Sequence, residues 1–421
     1  MNLPQLITKI YSYLYRQVFL KNIYVWLYKP VGFYEKVSDY LEKNPNISVK
    51  EIDFSKAFYC NVFPAYQSVI TNPTYIDFYA RCNATNYVIK NKLVETIADN
   101  FVLNVPNGRV HTDLGANTAI ISHDNRLIGE VSFQYDDKKG SVGVAYNTIL
   151  HKNIIYPCKY YKGIVFSAIV GGGSNSNYFH WLADTICRFY LLKHIGIWQQ
   201  IDYFYMPNYS FPFQKQSLAF LGITAEKVIN AQEIRHIKAD AILCSHIGRP
   251  RGHFPKWIWE GLRELFMSHK LGINHDKLEL QNNKLTNKFI YISRQDATHR
   301  KLQNENELIL LLKSYGFEIC LLATMDFTTQ IALFSAAKIV IAQHGAGLTN
   351  IIFCPPKTLV IELYGGLVNP DFAGICQTGN LDHIGFDCDI LQNHGEGIHY
   401  VENTVVNLEK LEKLLQANQL I

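Results

Sequence analysis

The sequence contains no CxxC pair, no apolar run approaching 18 residues and no glycine-rich GxGxxG turn after any strand-like segment. Its nine cysteines (Cys60, Cys82, Cys158, Cys187, Cys244, Cys320, Cys354, Cys376 and Cys388) are odd in number and fit neither zinc-finger spacing nor a disulfide framework, so they read as reduced, mostly buried thiols. Without a long apolar run or a signal-peptide core, the expected compartment is cytoplasmic, and the sequons at Asn46, Asn83 and Asn208 are chance matches. A formal charge of only +4, with no base-reading module, argues against a nucleic-acid partner. The missing GxGxxG argues against a nicotinamide site.

What is present is an ordinary globular composition, 48% apolar and 13% aromatic, over 421 residues, enough for two or three packed domains. Residues 1–45 open with a basic segment: the first 34 residues hold Lys9, Arg16, Lys21 and Lys29 but no acid, interleaved with apolar residues at helical spacing. Such an amphipathic helix suits a membrane surface, or equally the flank of the protein body. Residues 46–161 show short alternating runs (Phe101 to Val105, Arg109 to Thr112, Thr118 to Ser122, Glu130 to Phe133) punctuated by Pro106-Asn107-Gly108 and Asp124-Asn125, a β-rich portion. From residue 162 strands and helices alternate, in one unit to about residue 285 and a second over 286–421, with the polar stretch Leu271 to Asn287 as linker. A long helix is expected from Asn175 to Ile195, and a helix capped by Asn304 with Glu307 three residues on. The fold class is therefore α/β, two facing Rossmann-like units with a β-rich N-terminal portion, and the cleft between the units is the expected site.

The most informative stretch runs from Lys338 to Tyr364: a buried strand, a tight turn through His344, Gly345, Ala346 and Gly347, a short helix through Leu348 and Thr349, then a second strand. A helix start of this kind is a ready anion site, and Glu362, at the carboxyl end of the next strand, suits a ribose hydroxyl. Arg294 leaves the end of another strand, from where a guanidinium can reach a diphosphate; Arg300 follows it, and Asp296 is a competing partner. The bland alternative is that the glycines only shape a strand-to-helix turn.

A second stretch, Gly171 to Asp184 (GGGSNSNYFHWLAD), leads from a glycine-rich strand exit into a helix carrying His180 and Asp184 at i and i+4. On one helix face the carboxylate can orient the imidazole or serve as base itself. Trp181 faces either the core or a sugar ring. Asp387-Cys388-Asp389 spells a metal-binding DxD, but it follows both α/β units and reads as a solvated loop.

These residues give the chain a resemblance to glycosyltransferase family 61, which includes capsular polysaccharide biosynthesis proteins. Three motifs carry it: NYFHWLAD at Asn177 to Asp184, YISRQDATHRKLQNENEL at Tyr291 to Leu308 and HGAGLTNIIFCPPKTLVIEL at His344 to Leu363. The upstream VPNGRV and the Ala119 to Phe133 stretch extend the likeness to about Phe101. The resemblance implies a GT-B fold and inverting transfer from a nucleotide sugar, usually uridine diphosphate linked, with no metal requirement and no cofactor. It places the donor at Arg294, at His344 to Thr349 and at Glu362, and the acceptor side at Asn177, His180, Trp181 and Asp184. The base is then Asp184 or His180. The acceptor is a glycan or lipid-linked glycan, in capsular or other surface polysaccharide synthesis on the inner face of the membrane. Gln343 and Lys357 depart from the family pattern and bear on donor choice. A rival reading keeps the cleft but drops the chemistry: a nucleotide- or glycan-binding subunit of a polymer assembly.

Overall fold

The computed structural model describes residues 28–44, 52–81, 88–89, 92–114, 117–136, 140–153, 155–250, 252–268, 287–297, 301–365, 369–390 and 403–417. Most of the basic N-terminal segment, Arg300 and nearly all of the expected linker lie outside these residues. The fold is mixed α/β, and among the described residues the larger sheet has 12 strands and the smaller main sheet five.

Nine strands of the larger sheet position the site: β1 (Phe58–Phe63), β2 (Asn100–Pro106), β3 (Arg109–Thr112), β4 (Asn117–Ile121), β5 (Phe133–Asp136), β6 (Lys159–Ser167), β7 (Tyr203–Met206), β8 (Val228–Asn230) and β9 (His236–His246). Four of them, in the order β9-β6-β7-β8, pair in parallel. Their apolar stretches, such as Ile164 to Phe166 and Ala241 to Cys244, match strands covered on both faces. The free edge of β9 is filled end to end by β3 and then β2, both antiparallel. The two are joined by a turn in which Asn107 takes φ 51°, and Asn107 N–H donates to the Asp240 carbonyl at 2.7 Å. The β-rich portion thus continues the first α/β sheet, and the boundary drawn at residue 161 falls inside β6.

The second sheet is wholly parallel, in the order β11-β10-β12-β13-β14, from β10 (Lys288–Ile292), β11 (Glu318–Cys320), β12 (Ala337–Gln343), β13 (Leu359–Tyr364) and β14 (Asp382–Asp387). The helices that matter here are α1 (Pro73–Arg81), α2 (Cys187–His194), α3 (Pro212–Phe220), α4 (Lys256–Met267), α5 (Glu305–Ser314), α6 (Phe327–Ser335), α7 (Asp371–Gly379) and α8 (Leu408–Ala417). One continuous apolar cluster contains Phe179, Trp181 and Phe266 beside Phe327, Phe353 and Phe372, so side chains from both α/β units share a core. Among the described residues no helix is long and apolar enough to cross a membrane.

Several local expectations shift. Residues Gly129–Val131 form a 3-10 turn, and the strand begins at Phe133. The helix after Gly347 is a 3-10 helix, Ala346–Phe353. Asn304 precedes α5 without capping it: its side chain pairs with both backbone groups of Val406, at 2.8 and 3.0 Å. Asp387 of the DxD sequence is held by Arg81 of α1 at 2.7 and 2.8 Å.

Candidate functional site

The chain leaves β6 and turns through Gly171 and a 3-10 turn, Gly172–Asn175, into a helix that is not regular. Asn177 caps it, its side chain accepting from Phe179 N and His180 N; one α-turn, Tyr178–His180, then passes into a π-helical turn, Trp181–Ile186, before α2. The widened turn spaces side chains differently from an α-helix, and such turns often sit at functional sites. Here it puts Trp181 fully inside the core, its indole N–H donating to Ser217 Oγ on α3 at 3.0 Å. Of the two directions open to Trp181 the structure shows the core, while Asn177 caps the helix through Oδ1 and stays exposed.

His180 and Asp184 do meet, with Nδ1 2.6 Å from Asp184 Oδ2. Arg249, three residues beyond the end of β9, donates through Nε to Asp184 Oδ1 at 2.7 Å and through a terminal nitrogen to Oδ2 at 3.2 Å. Arg188 on α2 reaches back to the Asp184 carbonyl at 2.7 Å and also bonds Ser245. Burial alone would raise the Asp184 pKa, but the charge and hydrogen bonds of Arg249 and His180 prevail and hold it well below the usual carboxylate range. With both oxygens engaged and its proton gone, Asp184 holds the His180 imidazole in place. That is the carboxylate's part in any hydrogen-bonded nucleophile, base and orienter set.

The second sheet repeats the arrangement around Glu362 of β13. His344 Nδ1 lies 2.5 Å from Glu362 Oε1, and His383 Nε2 lies 2.9 Å from Oε2. Glu362 is completely buried between them, so the ribose contact expected of it is ruled out by geometry: both oxygens already serve imidazoles. Its desolvation pushes the pKa up, yet hydrogen bonds from His344 and His383 win and bring it down to about 2. Leu348 and Thr349 are also buried, the Thr349 hydroxyl donating to the Ala346 carbonyl at 2.6 Å, so they shape the turn from behind. His344, Ala346 and Gly347 keep partial exposure, while Gly345 is buried against an arginine. A Cβ at Gly345 would fall 2.5 Å from a terminal nitrogen of Arg294, so the glycine is what lets the guanidinium lie along the turn. Arg294 is set by Glu305: one buried carboxylate oxygen accepts from Arg294 N, Ser293 Oγ and Tyr291 Oη at 2.8 to 3.0 Å.

Among the contacts that join the halves, three lie beside these histidines. Tyr178 Oη donates to Asn350 Oδ1 at 2.8 Å. Phe372 on α7 packs against Phe179 on one side and His344 on the other, with ring centroids 5.5 and 5.3 Å away. Arg249 also approaches Asp371 of α7, at 3.8 Å. A cavity of about 570 Å³ is lined by His180, Asp184, Arg188 and Arg249 together with Phe133 and Tyr135 of β5. A larger one, about 740 Å³, runs along β14 and α1 and is lined by Lys338, Leu359, Asp382 and His383, at or next to the amino ends of their strands. Ligands of parallel sheets sit at the opposite, carboxyl ends, so the smaller cavity is the candidate site.

The sequence reading missed Arg249, Glu305, His383 and the β5 aromatics. Arg249 carried a signal, for it follows a buried strand just as Arg294 does. Glu305 sat inside a motif already singled out, but the adjoining Asn304 and Glu307 drew attention as a cap. Nothing in the sequence marked His383.

The family model described as Glycosyltransferase 61 matches residues 178–361. Among curated proteins, the chain is 29% identical over 122 residues to Protein O-linked-mannose beta-1,4-N-acetylglucosaminyltransferase 2 of Takifugu rubripes, covering 28% of this chain and 20% of that protein. It is 33% identical over 102 residues to the EGF domain-specific O-linked N-acetylglucosamine transferase of Drosophila melanogaster, covering 24% and 18%. The human form of the first relative is 30% identical over 109 residues, covering 25% and 18%. The match thus spans a fifth or less of the length of these relatives, 18 to 20%. Its matched residues hold both histidine–carboxylate pairs except for the last position of the second, Glu362, which is the next residue on. The chain carries a glycosyltransferase family 61 domain over residues 178–361.

Proposed function

We propose that the chain transfers a sugar, with inversion and without a metal, from a nucleotide sugar to a glycan acceptor, its two parallel-strand units acting as the facing Rossmann-like halves of a GT-B transferase. The observation that carries this reading is an imidazole held by a half-buried, ionised carboxylate at a cavity of the first unit, with an arginine-bearing turn in the second. His180 takes the proton from an acceptor hydroxyl as the hydroxyl oxygen attacks the anomeric carbon. Asp184, clamped by Arg249, stabilises the imidazolium that forms. The bond from the anomeric carbon to the diphosphate breaks on the opposite face, and its negative charge is met by Arg294 and by the backbone of the turn at Gly345, Ala346 and Gly347. His344, fixed by Glu362, borders the same turn.

The donor on this reading is a uridine diphosphate sugar. N-acetylglucosamine is the first candidate because it appears in the names of the similar proteins. The acceptor is a glycan or lipid-linked glycan, the setting capsular or other surface polysaccharide synthesis, with residues 1–34 as the contact to the inner membrane face.

Release of uridine diphosphate from a panel of uridine diphosphate sugars, with and without EDTA, tests the reading. Turnover that survives EDTA and is lost in His180→Ala supports it. Binding without turnover would shift the chain to a nucleotide- or glycan-binding subunit, and turnover abolished by EDTA would end the metal-free mechanism.

A further inference from the structure

We infer that Phe133 and Tyr135 of β5 form a platform on which a pyranose ring of the acceptor stacks, with its hydroxyls toward His180; this rests on the transferase reading of the cavity. The two side chains stand at i and i+2 on one strand and so share a face. Their rings are nearly parallel, 11° apart, with centroids separated by 6.5 Å. Gln134 between them points the other way. It is buried, and its Oε1 accepts from Thr148 N at 2.9 Å while its Nε2 donates to the Tyr135 carbonyl at 3.0 Å, which fixes the strand behind the rings.

The platform is also fixed from below. A Cβ at Gly171 would lie 2.7 Å from the Phe133 ring, so that ring rests directly on the glycine backbone at the exit of β6. This gives the first glycine of Gly171-Gly172-Gly173 a reason beyond flexibility. Tyr135, further out, is 44% exposed, so its ring is open to a ligand in the cavity.

What would cover it follows from the lining of the cavity. Phe133, Tyr135, Val170 and Ile247 supply its apolar surface, and Ser174, His180, Asp184, Arg188 and Arg249 its polar groups. A pyranose has the matching asymmetry: axial C–H groups make one face apolar while hydroxyls ring the edge. A volume of about 570 Å³ holds one or two such rings. Arg294, the diphosphate-side arginine, does not line this cavity, and the two arginines that do are already engaged, Arg249 by the Asp184 carboxylate and Arg188 by the Asp184 carbonyl and Ser245, which favours an uncharged sugar over a nucleotide. Since β5 lies outside residues 178–361, acceptor recognition would draw on the lead-in strands as well as on the matched domain.

The test uses the full chain and methyl pyranosides of the gluco, galacto, manno and xylo series, with binding read by saturation-transfer NMR. At least one pyranoside should bind; Tyr135→Ala should weaken it about tenfold or more, and Tyr135→Phe should keep it within about twofold. Because Tyr135 is exposed, its truncation leaves the core untouched, and Phe133→Leu provides a second variant expected to weaken binding. No binding to the parent chain, equal binding to Tyr135→Ala, or displacement of the pyranoside by uridine would each overturn the inference. Turnover of nucleotide sugar by the parent chain reports on the other claim: Tyr135-dependent pyranoside binding without turnover upholds the platform and removes the transferase.

Discussion

The Tyr178 hydroxyl donates to Asn350 Oδ1 at 2.8 Å, and this single bond ties the turn that carries His180 to the helix that follows the HGAG turn. Asn350 has no freedom to trade the partner away. Its amide nitrogen is committed to Gln330 Oε1 at 2.9 Å and the Gly347 carbonyl at 3.3 Å, and its side chain is buried. Any sliding of one unit over the other would have to break the bond or carry Asn350 along.

Tyr178→Phe removes the donor and keeps the ring, which stacks edge-on with Phe213. The Asn350 oxygen is then left buried without its partner, a cost of about 1–3 kcal/mol. Chemical denaturation should show that loss at unchanged denaturant slope. An unchanged midpoint would mean that water replaces the hydroxyl and that the bond does not tie the units.

Strand positions were legible because buried parallel strands are near-continuous apolar runs: Ile339 to Ala342 and Leu359 to Leu363 sit within β12 and β13. His180 with Asp184, and Arg294 beside the HGAG turn, were legible because they occupy strand exits and helix starts, where local chain geometry decides what a side chain can reach. Trp181 was not, since its direction depends on a π-helical turn whose extra residue leaves no mark on apolar periodicity. Glu362 was read for the wrong partner because its second ligand, His383, arrives from β14, 21 residues on. The shared sheet of the β-rich portion was hidden for a similar reason: β2 and β3 find β9 more than 120 residues later, and no local pattern encodes that pairing.

Glu362→Gln should make the protein less stable at neutral pH and flatten its acid limb. The folded pKa is depressed from the ordinary 4.5 to about 2, so the stabilisation is fully present above about 4.5 and is lost as pH falls toward 2. Two to three units at 1.36 kcal/mol each put the effect on the order of 3 kcal/mol. Thermal midpoints of parent and variant should therefore converge as the pH is taken from 6 down to about 2. Parallel curves across that window would show that the carboxylate is not held ionised by His344 and His383.

His180 and Asp184 should separate on a plot of rate against stability. His180 is partly exposed, so His180→Ala should lower kcat about 10²- to 10⁴-fold while moving the unfolding free energy by less than about 1 kcal/mol. Asp184→Asn should lower the rate and also cost about 3 kcal/mol, because Arg249 keeps only the more distant Asp371 as a counter-charge. If His180→Ala retained more than a tenth of the parent rate, the base would lie elsewhere, with His344 the next histidine to replace.

Gly345→Ala offers the cleanest probe of the donor side, because it changes a position without touching a functional group. The backbone there is extended, φ 172° and ψ 165°, which alanine adopts without strain. The added methyl would meet only the end of the Arg294 side chain, which can swing aside, so stability should change by less than about 1 kcal/mol. The guanidinium, however, can no longer lie along the turn. Losing a charge-assisted contact of this kind costs about 1.5–3 kcal/mol, so calorimetry should show uridine diphosphate binding weakened about 10- to 100-fold, close to the effect of Arg294→Ala. The double variant should be no worse than Arg294→Ala alone, since both changes act on one contact. Additive losses would mean that the turn binds the diphosphate through its backbone independently of the arginine, and the claim that Gly345 acts by seating the guanidinium would have to be given up.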